Sequence, residues 1–207
     1  MKFLFTLITH IFLFCNLFAQ NQFSRADSIA AAVKAVEIST VHSQLTKNLD
    51  TDIEKARAFY SWIANNINYD VNESLKASKD TRKQESQAVL NSRKAICHGY
   101  ANLFMELCSL SNIPCFMVSG YTRVGGKFDN SGHTWNVVLL NKNWQHVDVT
   151  WGAGGVNESG VYKRQFNESC FLANPKEFLS DHYPFDPMWQ LVTLPVAASM
   201  FKSSSYV

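Results

Sequence analysis

Cys97, His133 and Asp148 are the residues of this 207-residue chain whose types and order suit covalent chemistry. Cys97 stands where the irregular basic stretch Ser92-Arg93-Lys94 gives way to apolar residues at three- and four-residue steps: Ala101, Phe104, Leu107, Cys108 and Leu110. That spacing predicts a buried helix beginning at or near Cys97. A thiol at a helix N-terminus faces unpaired backbone N–H groups and the positive end of the helix dipole, so the thiolate is favoured. A sulfur nucleophile also needs a base to hold its proton and a third group to orient that base. His133 opens a predicted strand at 133–140, and Asp148 lies near the end of a second at 144–150. With Lys142-Asn143 as a two-residue turn, Asn141 pairs with Trp144 and Asp148 falls opposite Val137. Side chains alternate along a strand, so His133 and Asp148 then share a face. A three-residue loop without a bulge would place them on opposite faces. The chemistry of such a trio is acyl transfer from an amide through a thioester on Cys97.

Other elements must carry these residues to one place. Residues 21–49 are Ala-rich, with Ile29, Val33, Val36 and Leu45 at helical spacing, and predict a helix wrapping the body. Asp50-Thr51-Asp52 then caps a second helix over 53–66, with Ile53, Ala56, Phe59, Ile63 and Ile67 along one stripe. Residues 71–85 are polar without a period and read as a solvated loop, and Gln87-Ala88-Val89-Leu90 as a short apolar turn. Asn112 and Pro114 stop the Cys97 helix, residues 115–121 form a core strand, and 124–132 read as a loop. The C-terminal residues 199–207 read as a fading polar tail. Helices followed by a run of antiparallel strands make an α+β fold.

Composition narrows the function classes. A hydrophobic fraction of 46% with 17% charged residues suits one buried core rather than a disordered or fibrous chain. A net charge of +2 without a Lys/Arg cluster argues against a nucleic-acid partner. Residues 1–19 read as a secretory signal: Lys2, an apolar run from Phe3 to Phe14, then Leu17-Phe18-Ala19. The run is too short and interrupted for a membrane span, so the expectation is removal, a secreted or periplasmic protein, and no stable membrane insertion. Of the remaining cysteines, Cys108, Cys115 and Cys170 are either buried thiols or partners in a bridge, Cys108–Cys115 being one possibility.

Several motifs together resemble the transglutaminase-like superfamily, a papain-related fold. They are Cys97 after its basic stretch, His133-Thr134-Trp135-Asn136, and Val147-Asp148-Val149-Thr150-Trp151. The break Asn112-Ile113-Pro114 and the helix with Trp62 leading into Ile67-Asn68-Tyr69-Asp70 fit as well. Downstream, Cys170-Phe171-Leu172-Ala173-Asn174-Pro175, His182-Tyr183-Pro184 and Trp189-Gln190-Leu191 resemble the subgroup containing kyphoscoliosis peptidase and a fungal cytokinesis protein. The likeness covers about 52–191. It implies N-terminal helices packed on an antiparallel sheet, with the nucleophile at a helix N-terminus. Together with the signal, this divides the chain into a signal at 1–19, a helical segment at 20–50, a catalytic core at 51–152 and a completing extension at 153–207. It further implies Cys97 as nucleophile, His133 as base and then acid, and Asp148 as orienter. The oxyanion would meet the Cys97 backbone N–H plus a side-chain donor, Trp62 or Tyr69, with Trp135 as a cleft wall. No cofactor or metal is implied, and the substrate would be a protein or peptide, cell-wall peptides included. One departure is Ala95-Ile96 where the family usually has Gly-Val before its cysteine.

The remaining histidines read more plainly. His98 points about 100° away from Cys97 around a helix; His146 either lines the cleft or is solvated; His182 packs or pins a loop. A zinc site from Cys97, His98, His133 and His146 lacks the usual ligand spacing. An arylamine acetyltransferase would need glycines that Arg93-Lys94-Ala95-Ile96-Cys97 lacks. Two readings therefore stand: a thiol peptidase, amidase or transglutaminase-type enzyme, or a catalytically silent module of the same fold that binds peptide or cell-wall partners.

Overall fold

A computed structural model describes residues 22–76 and 84–203; the expected signal at 1–19 and the middle of the expected loop at 71–85 lie outside the described residues. The helix expected over 21–49 is two helices, α1 (Ser24–Ala32) and α2 (Ile38–Thr46), because the chain turns extended at Val33, with φ −74° and ψ 125°. Helix α3 (Asp52–Asn66) starts at a capping box in which Thr51 and Glu54 satisfy each other's backbone N–H groups. Nine consecutive residues of α3, Ala56 to Ala64, are buried, Arg57 among them. A helix covered on all sides needs a partner for any charge it carries. Arg57 donates from Nε to Asp27 at 2.8 Å and from Nη2 to Glu168 at 2.7 Å, tying α1 and the Glu168–Cys170 turn to α3. Strand β1 (Asn68–Tyr69) follows.

Residues Val71–Lys76 form helix α4 where a loop was expected; the Asp70 carboxylate accepts from the Glu73 N–H at 3.0 Å and starts the turn. Helix α5 (Ser86–Ser92) replaces the expected apolar turn. Strand β2 (Lys94–Ala95) runs parallel to β1, setting Tyr69 beside Ala95. Helix α6 (Cys97–Leu110) begins at Cys97, as its spacing predicts, and ends where Asn112 takes a left-handed conformation with φ 56°. Its apolar face, with Leu103, Phe104 and Leu107 fully buried, meets α3 and the sheet in the main core.

The sheet has five strands, in the spatial order Phe171–Ala173, Asn143–Val147, Lys127–Leu140, Cys115–Val124 and His182–Pro184, every pairing antiparallel. Strands β3 (Cys115–Val124) and β4 (Lys127–Leu140) extend through most of the expected loop at 124–132. Gly125 and Gly126, with φ 58° and 76°, close them in a two-residue turn. Strand β5 (Asn143–Val147) follows Asn141-Lys142, with φ 49° and 66°. The turn therefore lies one residue earlier than expected, and Leu140 pairs with Asn143. Asparagine tolerates the left-handed region at the first turn position, which favours this register. The pairing moves by two residues overall, so the alternation that links His133 to Asp148 survives.

Helix α7 (Val149–Ala153), the hairpin β6 (Gly154–Val156) with β7 (Tyr162–Arg164), β8 (Phe171–Ala173), α8 (Pro175–Phe178) and β9 (His182–Pro184) complete the body. A short α9 (Ala198–Lys202) buries Phe201 fully, where the sequence suggested only a tail, because the Arg123 guanidinium donates to the Phe201 carbonyl at 2.7 Å. Among the described residues no helix is long and apolar enough to cross a membrane. Cys97, Cys108, Cys115 and Cys170 are all free thiols. The α+β architecture, helices on an antiparallel sheet with a cysteine at a helix start, is the expected one.

Candidate active site

Cys97 is the first residue of α6, entered from an extended Ile96 with φ −91° and ψ 176°. No side chain caps this helix start, so the dipole's positive end stays directed at the sulfur. The Gln84 side chain accepts the Ile96 N–H at 2.9 Å and braces the approach, a role its place in an irregular stretch did not advertise. Ala95, the departure from the family pattern, lies in ordinary extended backbone within β2; the left-handed residue of the approach is Arg93, with φ 56°. Burial alone would raise the Cys97 thiol. The hydrogen bond and charge of His133, with a backbone contact at Thr134, outweigh it and hold the thiol below its ordinary value.

His133 comes from β4 and Asp148 from the end of β5. The His133 Nε2–H donates to Asp148 Oδ2 at 2.7 Å, which leaves Nδ1 as the ring nitrogen for the sulfur. Asp148 is fully buried, and its Oδ1 accepts the N–H groups of Thr150 at 2.9 Å and Trp151 at 3.1 Å, capping α7. One carboxylate oxygen is thus fixed by backbone while the other orients the imidazole. Burial opposes charge on both members of this pair. The His133–Asp148 attraction exceeds it, pushing His133 up to about 10 and Asp148 well below the usual carboxylate range.

A third side chain reaches the same carboxylate. His182, 2% exposed, donates from Nε2 to Asp148 Oδ2 at 3.0 Å and pairs through Nδ1 with Asp181 Oδ1 at 2.6 Å. Sequence reading gave His182 a packing or loop-pinning role; its only signal was the His182-Tyr183-Pro184 motif, because the strand pairing that delivers it is long-range. The ligand-type atoms of His133, Asp148 and His182 lie within 4.8 Å of one another. Tetrahedral zinc ligands about 2.0–2.1 Å from the metal stand about 3.3 Å or more apart. The two separations here, 2.7 and 3.0 Å, are those of hydrogen bonds.

Not every expected site residue reaches the site. The Trp62 indole is fully buried and donates to the Val33 carbonyl at 3.1 Å, so it is spent on the helical layer and is no oxyanion donor. Tyr69 lines a cavity of about 920 Å³ together with His133, Trp151, Asp129, Gly155 and Asp181, and its hydroxyl bonds Ser74 Oγ at 3.0 Å. Trp135, 1% exposed, lies beneath the site against His133 and His182 and forms its floor rather than a cleft wall. His146 is neither solvated nor in the cleft: it is buried and stacked on Phe178 at 4.4 Å, and burial lowers it to about 4.

Residues 39–149 of the chain match the transglutaminase-like superfamily. Human kyphoscoliosis peptidase is 33% identical over 197 residues, which is 90% of this chain and 29% of the human protein. Hillarin of Drosophila melanogaster is 29% identical over 210 residues, 90% of this chain and 25% of hillarin. A crystallised TGase has a TM-score of 0.45 at 18% identity, over 81% of this chain and 42% of that one. The chain spans less than a third of the length of these curated relatives. The family match covers more than half of the sequence and runs through the segment that holds the cysteine and the histidine. The chain belongs to the transglutaminase-like superfamily.

Proposed function

We propose that this domain is a thiol enzyme that acts on protein or peptide amide bonds. The observation that carries this reading is the placement of His133, its Nε2 on Asp148 and its other face toward the Cys97 thiol. The Cys97 thiolate attacks the amide carbonyl carbon. The tetrahedral oxyanion is met by the Cys97 backbone N–H and, as second donor, by the Tyr69 hydroxyl on rotating its hydrogen away from Ser74 Oγ. The C–N bond breaks as His133 gives its Nδ1 proton to the leaving amine, and an acyl thioester remains on sulfur. Water or an amine then loses a proton to His133, attacks the thioester and releases the thiolate. Hydrolysis and cross-linking differ only in that second nucleophile.

The test is a panel of peptides offered with and without a primary amine, read by mass spectrometry. The reading predicts peptide cleavage, glutamine deamidation or amine incorporation that Cys97→Ala abolishes, and an acyl adduct on Cys97 when turnover is quenched in acid. No Cys97-dependent product, with Cys97 no more reactive than a small-molecule thiol, would instead leave a binding module.

A further inference from the structure

Asp148 Oδ2 receives two imidazoles, His133 at 2.7 Å and His182 at 3.0 Å. We propose that His182, anchored by Asp181, is a positioning residue that fixes the Asp148 carboxylate for His133. The inference rests on the thiol-enzyme reading above and extends its hydrogen-bond chain through His182 to Asp181.

The hydrogen bonds require this arrangement to be directional. A carboxylate only accepts, so the His182 Nε2 carries the hydrogen of its contact with Asp148, while Nδ1 pairs with Asp181. Asp181 fixes the ring from its other edge, and its carboxylate is partly exposed and lines the same cavity as His133. Three aromatic residues hold the ring plane: Phe178 stacked at 3.9 Å, Trp151 at 4.3 Å and Trp135 edge-on at 5.3 Å. The ionisable groups facing His182 are Asp148, Asp181, His133 and, across Phe178, His146. Ladder geometry delivers the residue. Gly120 of β3 pairs with His133 on one side and Pro184 on the other, so β4 and β9 both report to one strand.

A packing role and a positioning role make opposite forecasts for two variants. His182→Phe keeps the aromatic stack and removes both polar contacts. His182→Gln loses the stack and keeps an N–H for Asp148. The measurement is the rate of Cys97 alkylation by iodoacetamide from pH 5 to 9, with adducts located by mass spectrometry and folding checked by circular dichroism. Positioning predicts that His182→Phe slows alkylation on the acidic side by about tenfold and moves the acidic limb upward, while His182→Gln stays nearer the parent. A parent-like profile for His182→Phe, or a larger loss for Gln than for Phe, overturns the proposal while leaving the Cys97–His133 pair standing. A parent protein whose Cys97 titrates like a free thiol overturns both. If Phe fails to fold, Asp181→Asn replaces it. That variant leaves the core intact and predicts a smaller upward shift of the same limb, and an unmoved limb counts against the proposal.

Discussion

The Asp148 carboxylate and the His133 imidazole meet at 2.7 Å although one leaves the end of β5 and the other sits midway along β4. Asp148 serves three structural partners at once, the N-terminus of α7 and the rings of His133 and His182. Asp148→Asn keeps the cap oxygen but turns an N–H toward two donors, so the imidazole loses its tautomer. Cys97-dependent turnover is expected to fall by about 10⁴-fold with secondary structure intact, the size of loss known for the equivalent change in a serine triad. A loss of tenfold or less would mean that Asp148 only caps its helix.

Acid should destabilise the domain in two stages. Burial lowers His146 from 6.5 to about 4, so the unfolded chain binds the extra proton between those values and stability falls as pH drops through them. Asp148 is depressed below its ordinary 3.8, so a second loss begins below about pH 4. Urea midpoints at pH 7, 5, 4 and 3 measure this. His146→Phe removes the upper stage, worth up to roughly 3 kcal/mol, and Asp148→Asn flattens the lower one. Raised pH acts on His133 in the opposite sense: its contribution is complete below 6.5 and fades as pH rises toward about 10.

The covalent trio was legible because its signals are local: a helical period that starts at Cys97, a hairpin, and strand alternation. The hairpin register was misread by two residues in pairing without harm, since alternation depends only on parity. His182 was not legible in the same way. Its role depends on β9 pairing with β3 about sixty residues upstream, which no periodicity announces. Trp62 failed as an oxyanion donor for a related reason: its carbonyl partner at Val33 comes from the turn between α1 and α2, which sequence reading merged into one helix. Val71–Lys76 was missed because a six-residue helix shows too few turns to reveal a period.

Arg57 holds two acidic partners from a site only 3% exposed. Arg57→Ala leaves Asp27 and Glu168 partly solvated and empties a space among Phe23 and Phe171. The expected loss is about 2–3 kcal/mol, read from urea unfolding. Arg57→Met recovers part of it by refilling the apolar volume, and neither changes Cys97 labelling in the folded state.

Gly120 permits β9 to approach. A Cβ there would lie 2.1 Å from the Tyr183 carbonyl oxygen and 2.6 Å from the Trp135 ring. Gly120→Ala is expected to cost about 1–3 kcal/mol by overpacking and to slow Cys97 alkylation, because the displaced strand carries His182. A stable variant with unchanged labelling would show that β9 can shift without disturbing Asp148.

The central claim is that His133 keeps Cys97 ionised. At pH 6 an isolated thiol is only about 0.3% thiolate, so an ion-paired sulfur has an advantage that a single rate comparison exposes. The decisive measurement is iodoacetamide labelling of Cys97 at pH 6 in the parent and in His133→Ala. The account predicts fast labelling in the parent and a drop of about 100-fold in the variant; equal, slow labelling in both would contradict it.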